Sequence, residues 1–151
     1  MTIDMLQPFF GFNPEMWRLS TMFRTEIFKA FAASDQSGMI FTYVWAFDLQ
    51  EDWDHVAQIT APFEKQGATV YFVELEADLD ERLKRNESPH RLAHKPTKRD
   101  VDTSANELKA TYNNHRLNSK EGEIQRELYL RINNTHLDAS EVAKRIAAFI
   151  K

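Results

Sequence analysis

The run Met39–Phe47, MIFTYVWAF, most constrains what this chain can fold into. It is nearly unbroken in apolar, aromatic and β-branched residues and carries no charge. Such a run suits a strand covered on both faces, as in a parallel sheet. Helical periodicity stands on either side of it. Asn13 and Pro14 read as an N-cap and first helical residue. Beyond them Met16, Leu19, Phe23, Ile27 and Phe31 recur at three- and four-residue spacing, which predicts a helix over 14–33. Trp53, Val56, Ile59 and Phe63 mark a second helix over 51–66, with Gly67 as its stop.

The alternation continues. Residues 69–75 (TVYFVEL) read as a second buried-type strand, and Asp78 as the N-cap of a helix through Arg85. Residues 87–102 carry Pro89, Pro96 and many cations, and read as a loop or mobile flap. A helix over 103–117, a turn at 118–123, a strand over 128–132 and a closing helix over 139–150 complete the order. Strands alternating with helices imply a parallel three-layer α/β/α sheet in a single domain, 1–151. Three strands are few for that class, and the first element read is a helix. The expected fold is therefore an α/β sheet that is incomplete at its N-terminal side.

Composition excludes some classes of function. The net charge of −4 argues against a general nucleic-acid or membrane binder. There is no cysteine, so disulfides, thiolate metal sites and a cysteine nucleophile are excluded. No apolar run reaches the roughly 18 residues of a membrane span. Residues 1–12 lack a basic n-region and a small-residue cleavage site, so a cytoplasmic protein is expected. Asn86-Glu87-Ser88 and Asn133-Asn134-Thr135 match the glycosylation pattern, which has meaning only in a secreted chain.

Chemistry in an open parallel sheet sits outside the carboxyl ends of the strands. Asp48 directly follows the aromatic run. It either caps the next helix, or coordinates Mg²⁺ through water or accepts a substrate proton. Between residues 82 and 99 stand Arg82, Lys84, Arg85, Arg91, Lys95, Lys98 and Arg99. This is either a solvated basic loop or a site for an anionic ligand, since guanidinium forks suit phosphate oxygens. His90 and His94 have metal-ligand spacing, but Pro89 and Pro96 bracket them and argue against a regular helix and a metal site. Asn133, Asn134 and Thr135 follow the last strand and read as a turn or as purine contacts. Arg18 and Arg24 on the first predicted helix are surface cations or substrate contacts. Asp4 is a candidate carboxylate near the start. No ordered aromatic platform stands beside the cations, which disfavours RNA.

Several of these segments resemble a known family. FVELEADLDERLKRN, then PHRLAHKPTKRD and NNHRLNS, resemble bacterial shikimate-kinase-like and related P-loop small-molecule kinases, within the AAA-type nucleoside-triphosphate hydrolase fold. In those proteins a strand leads to a short arginine-bearing helix and an arginine-rich lid over ATP. The ending YLRINNTHLDASEVAKRIAAFI resembles their last strand and helix. The resemblance covers residues 38–151. It implies a kinase using ATP and Mg²⁺ on a small hydroxyl-bearing acceptor, with Arg82, Arg85, Arg91 and Arg99 as phosphate contacts and 87–102 as the lid. MTIDMLQPFFGFNP is similar to the stretch where an acidic residue meets the acceptor, which makes Asp4 the substrate carboxylate and places Asp48 near the metal. Phe23-Arg24 with Glu26 is similar to an F-R-x-x-E pattern, with Glu26 one position early, and makes Arg24 a substrate contact.

One part of the pattern is missing. The chain has four glycines, Gly11, Gly38, Gly67 and Gly122, and none precedes lysine. The G-x-x-x-x-G-K-[ST] phosphate loop is therefore not in this sequence. Two expectations follow: an N-terminally incomplete kinase chain, or a non-catalytic anion- or nucleotide-binding module that kept the lid. With the first strand missing, the chain is expected to be only marginally soluble or to cover the open sheet edge by forming a homo-oligomer.

Overall fold

The computed structural model describes residues 2–150. Its helices are α1 (Thr2–Phe10), α2 (Pro14–Ala32), α3 (Gln50–Lys65), α4 (Leu79–Asn86), α5 (Pro89–His94), α6 (Val101–Asn114) and α7 (Ala139–Phe149). Strands β1 (Phe72–Glu76) and β2 (Tyr129–Asn133) pair in parallel, with Phe72 opposite Tyr129 and Glu76 opposite Asn133. The fold is mixed α/β with a two-stranded parallel sheet. The segments between β1 and β2 make the crossover that parallel neighbours require.

Local chemistry places most boundaries where the sequence puts them. Asn13 Oδ1 accepts the Met16 N–H at 2.8 Å, and Pro14 takes the first turn, where no donor is needed. Asp138 caps α7 by accepting the Glu141 N–H at 2.8 Å. Gly67 follows α3 with φ +76, the left-handed conformation that ends a helix without Cβ strain.

The expected strand at 39–47 does not form. A strand exists only as a partner in a ladder, and no main-chain ladder reaches this segment among the described residues. The segment is still sided. Phe41 meets Phe28 of α2 edge-on at 4.9 Å, and Tyr43 faces His55 of α3 at 5.2 Å. Ile40 and Val44 turn outward, 92% and 66% exposed. Its far end is buried at Ala46 and Phe47, where Phe47 N–H donates to Arg116 C=O at 2.8 Å. The three-layer sheet is reduced accordingly to one parallel pair.

Three further differences have local causes. Residues 2–10 are helical, which the sequence reading did not foresee; Leu6 is buried and Thr2 shares a 2.8 Å hydroxyl bond with Ser20 of α2. The flap is not structureless. Ser88 caps α5 with Pro89 in its first turn, so His90 and His94 lie on a short helix after all, followed by a 3₁₀ turn, Pro96–Lys98. Helix α6 stops at Asn114 rather than 117; His115 caps it in extended conformation, and the Arg116 N–H that follows goes to Asp48.

Candidate functional site

The cleft of interest lies between the extended segment and β1. It encloses about 210 Å³. Tyr43, Val44, Trp45 and Phe47 form one wall, and Phe72 to Leu75 the other. Ala77 and Arg82 stand at the carboxyl end of β1, where ligands of parallel sheets bind.

Arg82 belongs to α4, directly after β1. Its side chain makes no hydrogen bond or ion pair among the described residues, and its guanidinium stands over the Tyr112 ring of α6, 5.9 Å from the centroid. A stacked, unspent guanidinium beside a cleft is suited to an anion.

The other lid arginines are committed internally. Arg85 donates to the carbonyls of Asn134 (2.7 Å), Thr135 (3.3 Å) and Leu137 (3.5 Å), and to Glu81 at 2.8 Å. It holds α4 to the turn after β2, so Asn134 and Thr135 serve as anchors there. Thr135 Oγ1 also accepts the Asp78 N–H at 3.0 Å. Arg91 donates to the buried Asn86 at 3.1 Å, and Arg99 to the Leu92 carbonyl at 3.2 Å. Replacing Arg85 with alanine is expected to cost about 2 kcal/mol of folding stability, since it removes several charge-assisted bonds at once. Urea unfolding at neutral pH measures it.

Asp4 lies in the first turn of α1, and Arg24 of α2 bonds the residue that begins that turn. Thr97 Oγ1 donates to Asp4 at 3.0 Å, which docks the flap on α1. Arg24 Nε donates to Thr2 Oγ1 at 3.0 Å. Burial lowers the pKa of Arg24, with the neighbouring Tyr43 acting in the opposite direction. Tyr43 in turn donates to Asp52 at 2.6 Å, and burial together with that bond raises its pKa. Tyr43 therefore links the Arg24 side to the cleft wall. Arg18 is a surface residue paired with Glu15 at 2.6 Å.

Asp48 does not cap α3, whose N-cap is Leu49. It accepts the Arg116 N–H at 2.8 Å and sits 3.2 Å from His115 Nδ1. The Arg116 N–H, outweighing burial and aided by His115, holds its carboxyl below the usual range. No group of three or more metal-ligating side chains exists among the described residues. His90 and His94 rings lie 4.3 Å apart, with His94 Nδ1 on the His90 carbonyl.

Glu74 is the site residue that the sequence reading passed over. It accepts from Asn118 Nδ2 (2.9 Å), Ser119 N–H (3.1 Å) and Tyr129 OH (2.7 Å). Its signal was a lone carboxylate inside an apolar strand. No helix of the described residues is long and apolar enough to cross a membrane. No family model, no curated protein and no solved structure matches the chain.

Proposed function

We propose that this protein handles nucleotide phosphates in the manner of a small-molecule kinase of the shikimate-kinase type, with the cleft at the end of β1 as its anion site. The observation that carries this reading is Arg82, an uncommitted guanidinium beside a cleft at the carboxyl end of a parallel strand. In the full form of the reading, the cleft belongs to a three-layer sheet and the acceptor lies toward Asp4 and Arg24. Phosphoryl transfer would then form a bond between phosphorus and the acceptor oxygen, release ADP and pass the hydroxyl proton to Asp4. Asp48, already engaged by Arg116 and His115, does not fit as a Mg²⁺ ligand.

The second reading is binding without transfer. It is favoured by the glycine pattern, because no phosphate cradle is encoded in this sequence. Lid cations alone do not position a γ-phosphate. The two readings share one test. Trp45 lines the cleft, so its fluorescence should report a titration with ATP. Arg82→Ala is expected to weaken binding by about tenfold, the loss of one charge-assisted contact, while Arg99→Ala leaves it unchanged. Turnover of the unaltered chain is expected to stay well below about 1 s⁻¹, the lower end for kinases. Binding that is indifferent to Arg82 would remove the basis of both readings.

A further inference from the structure

One wall of the cleft is the outer edge of β1 and the other an extended segment, with no main-chain bond between them among the described residues. Phe72 N–H donates to Leu128 C=O at 2.8 Å, and Glu76 C=O accepts the Asn134 N–H at 2.7 Å. The even-numbered residues of β1 thus face β2, and Val73 and Leu75 turn their main-chain groups toward the cleft. β1 has no lysine and no proline, its two glutamates are engaged by Tyr129 and Arg131 of β2, and Leu75 is 48% exposed. Opposite lies the extended segment 39–45, uncharged, with Ile40 and Val44 outward. Trp45 Nε1 is buried there without an acceptor.

The chain therefore carries both an open edge and an unpaired strand-forming segment. We propose that two copies exchange them: the extended segment of each enters the cleft of the other and pairs with its β1. A helical crossover, α3, joins the segment to β1, the connection that parallel strands use. Two-fold symmetry then sets the two segments antiparallel, side by side at the centre of one continuous sheet. The order is β2, β1, partner segment, own segment, partner β1, partner β2. Each β1 edge is filled once, and each segment has both its sides paired, so assembly through these elements stops at two copies. An entering main-chain carbonyl offers Trp45 Nε1 its missing acceptor. The proposal stands independently of the anion-site reading, since it rests on main-chain pairing rather than on Arg82.

Sedimentation of the full chain at micromolar concentration should give a dimer. Ile40→Lys and Val44→Lys replace exposed residues of the single copy, so the fold and melting temperature should hold. Each would bury a charge in the exchanged sheet and is expected to raise the dimer dissociation constant by at least about tenfold. The chain has no cysteine, so single cysteines placed in turn at positions 40–44 can be oxidised without competition. At least one should link two copies, and Lys144→Cys, on α7 beside β2 and outside the cleft, should not. A monomer at about 100 μM, a dimer indifferent to both lysines, assemblies that grow without limit, or no cross-link at positions 40–44 would each overturn the exchange.

Discussion

Replacing Glu74 with alanine is expected to cost the fold about 3 kcal/mol, because it takes the shared acceptor from several part-buried donors at once. Asn118, the Ser119 amide and Tyr129 all point at this carboxylate, and Arg131 lies 3.6 Å away. Glu74 thereby ties β1 to β2 and to the turn that precedes it. Burial opposes its ionisation, but the bonds from Asn118, Ser119 and Tyr129 prevail and hold its pKa below the ordinary 4.5. The sign of the pH dependence follows. The stabilisation is present above pH 4.5 and is lost as pH falls through the lower folded value. Urea midpoints of the unaltered chain should therefore fall on acidification below that point. Glu74→Gln should start lower and change less over the same interval. Parallel pH profiles for the two proteins would refute the assignment.

Phe28→Ala should have a comparable or larger effect, about 3–5 kcal/mol. Phe28 is 6% exposed and packs on Phe41 at 4.9 Å and Phe63 at 6.3 Å, so three segments lose their common contact. Against a domain stability of about 5–15 kcal/mol, that loss leaves little margin. The extended segment depends on this contact for its seat against α2, so its protease susceptibility should rise with the loss of thermal stability. Ile40→Ser is the matched control; at 92% exposure in the single copy it should shift the stability of that copy, measured in dilute solution, by less than about 0.5 kcal/mol. A Phe28→Ala protein that melts with the parent would show that the aromatic cluster does not hold the segment.

Much of the secondary structure was legible because its causes are local. Caps at Asn13 and Asp138 and the stop at Gly67 are short-range signals, and the helices they bound lie within a residue or two of their expected limits. The segment at 39–47 was misread for a reason that propensity cannot supply. Its composition fits a strand, but a strand needs an edge, and whether one is adjacent is a property of the whole fold. Helix α1 was missed because its apolar face is recognised only when α2 is beside it. At the candidate site, the sequence marked the arginines as a group. It could not show that Arg85 is spent on carbonyls 49 to 52 residues away while Arg82 is free, since that division depends on where the β2–α7 turn lands.

The Asp48 joint has a mechanical consequence. The Asp48 carboxylate holds the His115 ring and the Arg116 N–H, Phe47 N–H donates to the Arg116 carbonyl, and the Arg116 guanidinium returns to the Phe47 carbonyl at 3.0 Å. Three residues before His115 stands Tyr112, the ring on which Arg82 rests. The end of the extended segment and the platform under the free guanidinium are thus two arms of one lever with its fulcrum at Asp48. Loss of the Asp48 carboxylate is therefore expected to loosen both the end of the segment and the end of α6, one turn from the ring under Arg82.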